Sequence, residues 1–138
     1  LYRLRQSLGP GWLSSEAGLI SLRAGPQLWV DVEQFERLAA HEDAEAAQAA
    51  AALYRGELLP ELFDDWLVVR RAALHERLTV CLLRVGASAE ASDALDRALV
   101  AYQRAAQTDP FDEEAVRGLM RVHARAGRRR LALQQYTQ

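Results

Sequence analysis

Apolar residues recur along most of this 138-residue chain at intervals of three and four, the spacing that gathers them on one face of an α-helix. In residues 1–8, Leu1, Leu4 and Leu8 share such a face, while Arg3 and Arg5 fall largely off it. Gly9-Pro10-Gly11 then ends the helix. The pattern changes next. Trp12-Leu13-Ser14-Ser15, the turn-prone Glu16-Ala17-Gly18 and Leu19-Ile20-Ser21-Leu22-Arg23 predict a β-hairpin. Ala24-Gly25-Pro26 turns the chain again, and Leu28-Trp29-Val30 predicts a third short strand.

Helical spacing returns at Asp31, which is suited to an N-cap, and Val32, Phe35 and Leu38 stripe a short helix ending near Ala40. His41-Glu42-Asp43 breaks it. Residues 44–55 are alanine-rich and predict a helix on propensity, stopped by Gly56. Glu57-Leu58-Leu59-Pro60-Glu61-Leu62-Phe63 is apolar but interrupted by Pro60, and is expected to be a buried connector. The longest helix is predicted over roughly 65–86, capped by Asp64 or Asp65, with Leu67, Leu74, Leu78 and Val85 on one seam and Cys81 and Leu82 at its flank. Trp66 is expected to be a core anchor fastening this helix to the 44–55 helix. The small and polar run 86–92 predicts a mobile loop. Helices over 93–107 and 113–126 follow, separated by the turn Asp109-Pro110-Phe111-Asp112. After Gly127 a last helical piece occupies 128–138, its partner helix lying beyond the chain or absent.

Two of these helices carry the same phrase. Ala98 and Tyr102 recur as Ala132 and Tyr136, both 34 residues on, which is the tetratricopeptide period. Pro110 falls eight residues after Tyr102, at the close of one helical hairpin. Val116, Leu119, Met120 and His123 occupy the four positions of W-x2-L-G-x2-Y, with only the leucine a literal match. A small residue lets two helices approach, and the ring one turn later fills the groove beside it. The residues thus predict an all-α fold of antiparallel helical hairpins, preceded by a small β-hairpin.

Composition narrows the functions. The formal net charge is −2, so no global basic field draws nucleic acid to the chain. All 17 basic residues are arginine, which beside 25 alanines reads first as codon bias and only weakly as function. The lone Cys81 excludes an intramolecular disulfide, suits a reducing cytoplasm and fits a small buried hydrophobe. No run approaches the ~18 apolar residues of a membrane span, and no signal peptide opens the chain. The first residue is not methionine and falls within a helical pattern, so the sequence reads as a piece of a longer protein.

The sequence makes no case for an enzyme and implies no cofactor or metal. His41, His75 and His123 are scattered without metal-ligand spacing, and no phosphate-loop, dinucleotide or nucleophile-elbow motif occurs. Asp64-Asp65 and Glu113-Glu114 each open a helix, where the dipole favours negative charge. Arg125, Arg128, Arg129 and Arg130 form a basic knot that complements a helix C-terminus or docks an acidic partner.

With these landmarks in place, the chain resembles a known family. Leu53-Tyr54-Arg55-Gly56-Glu57-Leu58-Leu59-Pro60, Trp66, Asp109-Pro110-Phe111-Asp112-Glu113-Glu114-Ala115, Leu119-Met120, Gly127-Arg128 and Ala132-Leu133-Gln134-Gln135-Tyr136 are similar to the bacterial transcriptional activator domain. This TPR-like module belongs to SARP-type activators and to larger multidomain regulators. The resemblance covers about residues 31–138. It implies that residues 1–30 are the C-terminal part of an OmpR-type winged helix, with Arg3-Leu4-Arg5 and Leu8 at the end of its recognition helix and residues 12–30 as its wing. Two departures stand out: the 86–92 segment is longer than the tight turn usual there, and most of the winged helix is missing.

The expected role is that of a cytoplasmic regulatory and protein-interaction module of a bacterial transcription factor. Its partners would be other domains of the parent regulator, RNA polymerase or a second copy, with no membrane. DNA would be met through Arg3 and Arg5 only when the winged helix is intact. The alternative is a TPR scaffold that binds a peptide and has no part in transcription, for which a wing-like hairpin in residues 1–30 would have no use.

Overall fold

The computed structural model describes residues 2–9, 11–22 and 28–136, without the side chains of Leu4 and Tyr136. Its contacts divide the chain into two units, residues 1–30 and 31–138. In the first, α1 (Tyr2–Leu8) is followed by the antiparallel strands β1 (Leu13–Glu16) and β2 (Leu19–Leu22), with Leu13 opposite Leu22 and Glu16 opposite Leu19. Ala17 and Gly18 both adopt positive φ, +50° and +82°, the type I′ geometry that matches strand twist in a two-residue hairpin. Residues 28–30 form no strand; Trp29 is exposed and unpaired with the hairpin, so the expected third strand is not found. Leu1, the Leu4 side chain, Pro10 and the Ala24-Gly25-Pro26 turn lie outside what is described, and Leu8 is exposed.

The second unit is all helix: α2 (Asp31–Ala39), α3 (Ala44–Leu53), α4 (Asp65–Ala91), α5 (Leu95–Thr108), α6 (Glu113–Arg125) and α7 (Arg129–Tyr136). Each neighbour in sequence from α3 to α7 packs on the next, giving the stacked hairpins of a TPR-like fold. Local chemistry sets the ends. Asp43 Oδ1 accepts from the Ala46 amide at 2.7 Å and Asp112 Oδ1 from the Ala115 amide at 2.8 Å, each satisfying an orphan donor of the first turn. The amide bond from Ala46 also holds the Asp43 carboxyl below its ordinary pKa.

The segment 86–92, expected as a loop, is helix as far as Ala91. Alanine and glutamate at 87, 89, 90 and 91 are good helix formers, and Gly86 and Ala89 are buried where another helix lies close. The turn that follows is short. Asp93, at φ +58°, closes a Schellman motif: the Ala94 amide donates to the Ala89 carbonyl (2.8 Å) and the Asp93 amide to the Glu90 carbonyl (3.2 Å). Gly127, 34 residues on and at φ +74°, closes the same motif after α6, with Arg128 donating to His123 and itself to Ala124.

Two apolar clusters share α4. One joins Phe35, Ala47 and Ala50 to Leu74, Leu78, Cys81 and Leu82. The other joins Ala89 to Ala98, Tyr102, Leu119 and Val122. Tyr102 is its centre, 1% exposed, with its ring between two glycines. A Cβ on Gly86 would lie 2.7 Å from the ring, and one on Gly118 2.5 Å. Only bare backbone leaves room for an aromatic ring at the meeting of α4, α5 and α6.

This contact fixes the sign of a mutation. Glycine to alanine inside a helix gains about 0.8–1.0 kcal/mol of propensity, whereas overpacking a closed core costs about 1–3 kcal/mol, occasionally more. Gly118→Ala is expected to be net destabilising, because the ring is enclosed and cannot retreat. Gly56→Ala, where nothing lies within 4 Å, should be close to neutral. Urea denaturation of the two variants checks this; a stabilised Gly118→Ala would refute the wedge.

Candidate interaction site

The residues singled out in the sequence occupy several places. Ala98, Tyr102 and Leu119 are buried together around the α4–α5–α6 junction. Met120 on α6 and Ala132 on α7 are half-buried, Pro110 is exposed in the α5–α6 turn, and the ring of Tyr136 lies outside what is described. Arg3 and Arg5 are both exposed on α1.

Trp66 departs from expectation. It is 58% exposed, and the inward position at the start of α4 belongs to its neighbour Leu67, which is fully buried. One residue along a helix rotates a side chain by about 100°, enough to move it off the core face. The connector 57–63 departs too. Leu58 alone is half-buried; Leu59, Leu62 and Phe63 are exposed, Phe63 to 88%.

Arg71 explains how the connector stands without a core of its own. Its Nε donates to the Leu58 carbonyl at 2.9 Å, and its Nη2 to the carbonyls of Leu59 at 2.6 Å and Leu62 at 3.0 Å. This three-point clamp holds Leu59 at φ +48°, a left-handed conformation rare for a bulky side chain, immediately before Pro60. Two other arginines work in the same way. Arg84 Nη1 donates to the His41 carbonyl at 2.6 Å, holding the α2–α3 turn, and Arg104 Nη2 to the Tyr54 carbonyl at 2.8 Å, holding the end of α3. A planar fork with five donors can reach several carbonyls at once, which an ammonium cannot do in fixed geometry. The arginine bias therefore has structural content.

Upstream of the clamp, Tyr54 packs its ring edge-on to Phe35 at 5.6 Å and beside His75 at 5.8 Å. Phe63 at the end of the connector and Trp66 and Val69 in the first turns of α4 also stand exposed. Glu36 of α2 meets Arg70 of α4 through two bonds, 2.8 and 2.6 Å, and Arg77 through a third at 3.2 Å. Partly exposed pairs of this kind contribute up to ~1 kcal/mol each, so they orient α2 more than they stabilise it.

A polar cluster covers the Tyr102 wedge. The Tyr102 hydroxyl donates to Glu90 Oε2 at 3.1 Å and accepts from Arg121 Nη2 at 3.3 Å. Arg121 also lies 5.9 Å from the Tyr102 ring centroid and bonds Glu114 at 3.0 Å. Arg125 donates to the Glu90 carbonyl at 3.0 Å and to Asp93 Oδ1 at 2.7 Å. Burial works against the charge on Arg121, but hydrogen bonds to Glu90, Glu114 and Tyr102 outweigh it and raise its pKa. Arg125 of the basic knot is thus internally engaged. Arg128, Arg129 and Arg130 are exposed, with no carboxylate in salt-bridge range among the described residues.

The chemistry-bearing side chains do not converge. His41 is exposed, His75 lies tilted beside Tyr54, and His123 is buried on α6 with Nδ1 unpartnered. Among the described residues no group of three or more His, Cys, Asp or Glu could hold a metal ion. No helix among them is long and apolar enough to cross a membrane.

Several of these features were readable but missed. The residues 34 positions before Val116, Leu119, Met120 and His123 are Leu82, Val85, Gly86 and Ala89, with glycine at the motif's glycine position. Reading 86–92 as a loop hid that match. The Arg71, Glu90 and Arg121 partners lie 7 to 35 residues away in sequence and follow no local pattern.

The class defined by this architecture is a helical-repeat domain, stacked hairpins with polar clamps at their turns. The chain belongs to the bacterial transcriptional activator domain family, whose model matches residues 30–138. That membership implies a role in bacterial transcriptional activation. No curated protein and no solved structure gives a significant match to the chain.

Two measurements check these placements. Trp66→Ala should cost below about 1 kcal/mol in urea denaturation, against about 3–5 kcal/mol for a buried tryptophan. Stability should also fall at high pH. Burial raises the phenol pKa of Tyr102, with the Glu90 contacts adding to it and Arg121 opposing; burial likewise raises Tyr54 and the Cys81 thiol. A raised acid is protonated more firmly in the folded state. Its contribution is therefore complete below the ordinary value, about 10 for tyrosine, and is lost as pH rises from there through the raised one. Tyr102→Phe should flatten this loss; an unchanged pH profile would show that the phenol is not involved.

Proposed function

We propose that the chain is part of a SARP-type or larger multidomain regulator in the bacterial cytoplasm, with residues 1–30 closing an OmpR-type winged helix. In this reading α1 is the end of the recognition helix, and Arg3 and Arg5 face phosphates or base edges in the major groove. The hairpin β1–β2 is the wing. The helices α2–α7 are the interaction module, which couples the DNA-binding unit to other domains of the regulator or to RNA polymerase.

The observation that carries this reading is the order of parts along the chain. An exposed arginine-bearing helix and a two-stranded hairpin directly precede the family module, which begins at residue 30. A peptide-binding scaffold would have no use for that hairpin, so the regulatory role is preferred.

The test uses the full-length regulator. Arg3→Ala and Arg5→Ala should each weaken duplex binding and lower the salt slope by roughly one unit per lost phosphate contact. Deleting residues 31–138 should abolish activation of a reporter while duplex binding persists. Unchanged affinity and slope in both arginine variants would remove the recognition-helix assignment, and normal activation by the deletion would remove the coupling role.

A further inference from the structure

A slot of about 450 Å³ opens where α3 and α5 flank α4. Leu82 and Val85 of α4 form its floor, with Ala51 and Ala52 on one wall and Val100 and Ala101 on the other. Small residues on α3 keep the walls apart. Val100 is 65% exposed, so an apolar side chain faces water at the slot.

Two arginines span the slot at its ends. Arg97 Nη2 donates to Gln48 Oε1 at 2.8 Å, and Arg104 Nη2 donates to the Tyr54 carbonyl at 2.8 Å. They are seven residues apart on α5, two turns, or about 10 Å along the axis. Both bonds are to neutral acceptors. Neither arginine has a carboxylate partner among the described residues, as is also true of Arg71 and Arg84, but Arg97 and Arg104 are the pair that lines an apolar slot. Asp96 lies on the same rim and is the one charge of opposite sign lining the slot.

A guanidinium held by neutral acceptors keeps its charge available, and an incoming carboxylate would form a bond roughly twice as strong as the neutral one it joins. The slot is open along one side. A small molecule would remain wet there, whereas small-molecule sites normally bury about 70–90% of their ligand. A helix laying an apolar stripe into the slot would close it.

We propose that the slot between α3 and α5 receives an amphipathic helix of a partner protein, seating a leucine-type side chain on Leu82 and Val85 and placing carboxylates two turns apart on Arg97 and Arg104. This rests on the reading of α2–α7 as an interaction module and gives the chemistry of its partner.

Fluorescence anisotropy on the 138-residue chain tests it. The probe is a labelled peptide of about 18 residues, long enough to form a helix, with leucines at i, i+3, i+4 and i+7 and glutamates beside that stripe. Its control carries lysine for every glutamate. The acidic peptide should bind saturably and at least about tenfold tighter than the basic one, a difference of about 1.4 kcal/mol. Val100→Glu and Arg97→Ala should each weaken it about tenfold, and Leu133→Glu, exposed on α7, should leave it unchanged. If Val100→Glu lowers the urea midpoint, Val100→Ser together with Arg97→Ala decides instead. Equal affinity for the two peptides, indifference to the Val100 and Arg97 changes, loss in Leu133→Glu, or no saturable binding would each overturn the slot. Any of those results alongside a reporter that still needs residues 31–138 removes this surface and leaves the coupling role standing.

Discussion

A single aromatic ring holds three helices at one distance. Tyr102 reaches from α5 into a gap that exists because Gly86 on α4 and Gly118 on α6 have no side chains. Apolar burial supplies the attraction, but the backbone approach fixes the geometry: a ring fills the space from one helix surface to the other, and nothing larger fits. Around it Ala89, Ala98, Leu119 and Val122 complete a dry cluster. The hydroxyl is the one polar atom that must be satisfied there, and Glu90 and Arg121 reach it from α4 and α6. Packing and polar satisfaction thus select the same three helices.

The remainder of the module uses a different device. Its α2–α3 side has small residues and one aromatic pair, and its connectors are too exposed to be fixed by burial. Arginine side chains supply that definition instead, from α4 to the 58–62 carbonyls and to the α2–α3 turn, and from α5 to the end of α3. Each bond is modest in water, yet a fork that satisfies two or three carbonyls costs one side chain's freedom rather than several. The left-handed Leu59 before Pro60 shows how far the connector is bent from what its sequence prefers.

Much of this is legible in the sequence. Helix boundaries followed from apolar spacing and from Gly56, Pro110 and Gly127, because those signals act within a few residues. The 34-residue echo of Ala98 and Tyr102 revealed stacking, since a repeat restates a packing rule. Failures came where local composition and distant neighbours disagree. Gly86-Ala87-Ser88 looks like a loop until the Tyr102 ring is seen to need Gly86 bare. Trp66 looks like core by size, but only three-dimensional phase tells it from Leu67. The polar cluster at Glu90 was invisible for another reason: its members come from α4, α5 and α6, and a single sequence carries no record of which arginine meets which carboxylate.

The helix α4 belongs to both apolar clusters. Its 27 residues make a rod of roughly 40 Å, with α3 and α5 flanking it on either side of Leu82 and Val85. Such a rod has no joint at which the two halves could bend separately. One unbroken helix thus runs through both apolar clusters, and neither can separate from the other without parting the backbone hydrogen bonds of α4 between Leu82 and Ala89.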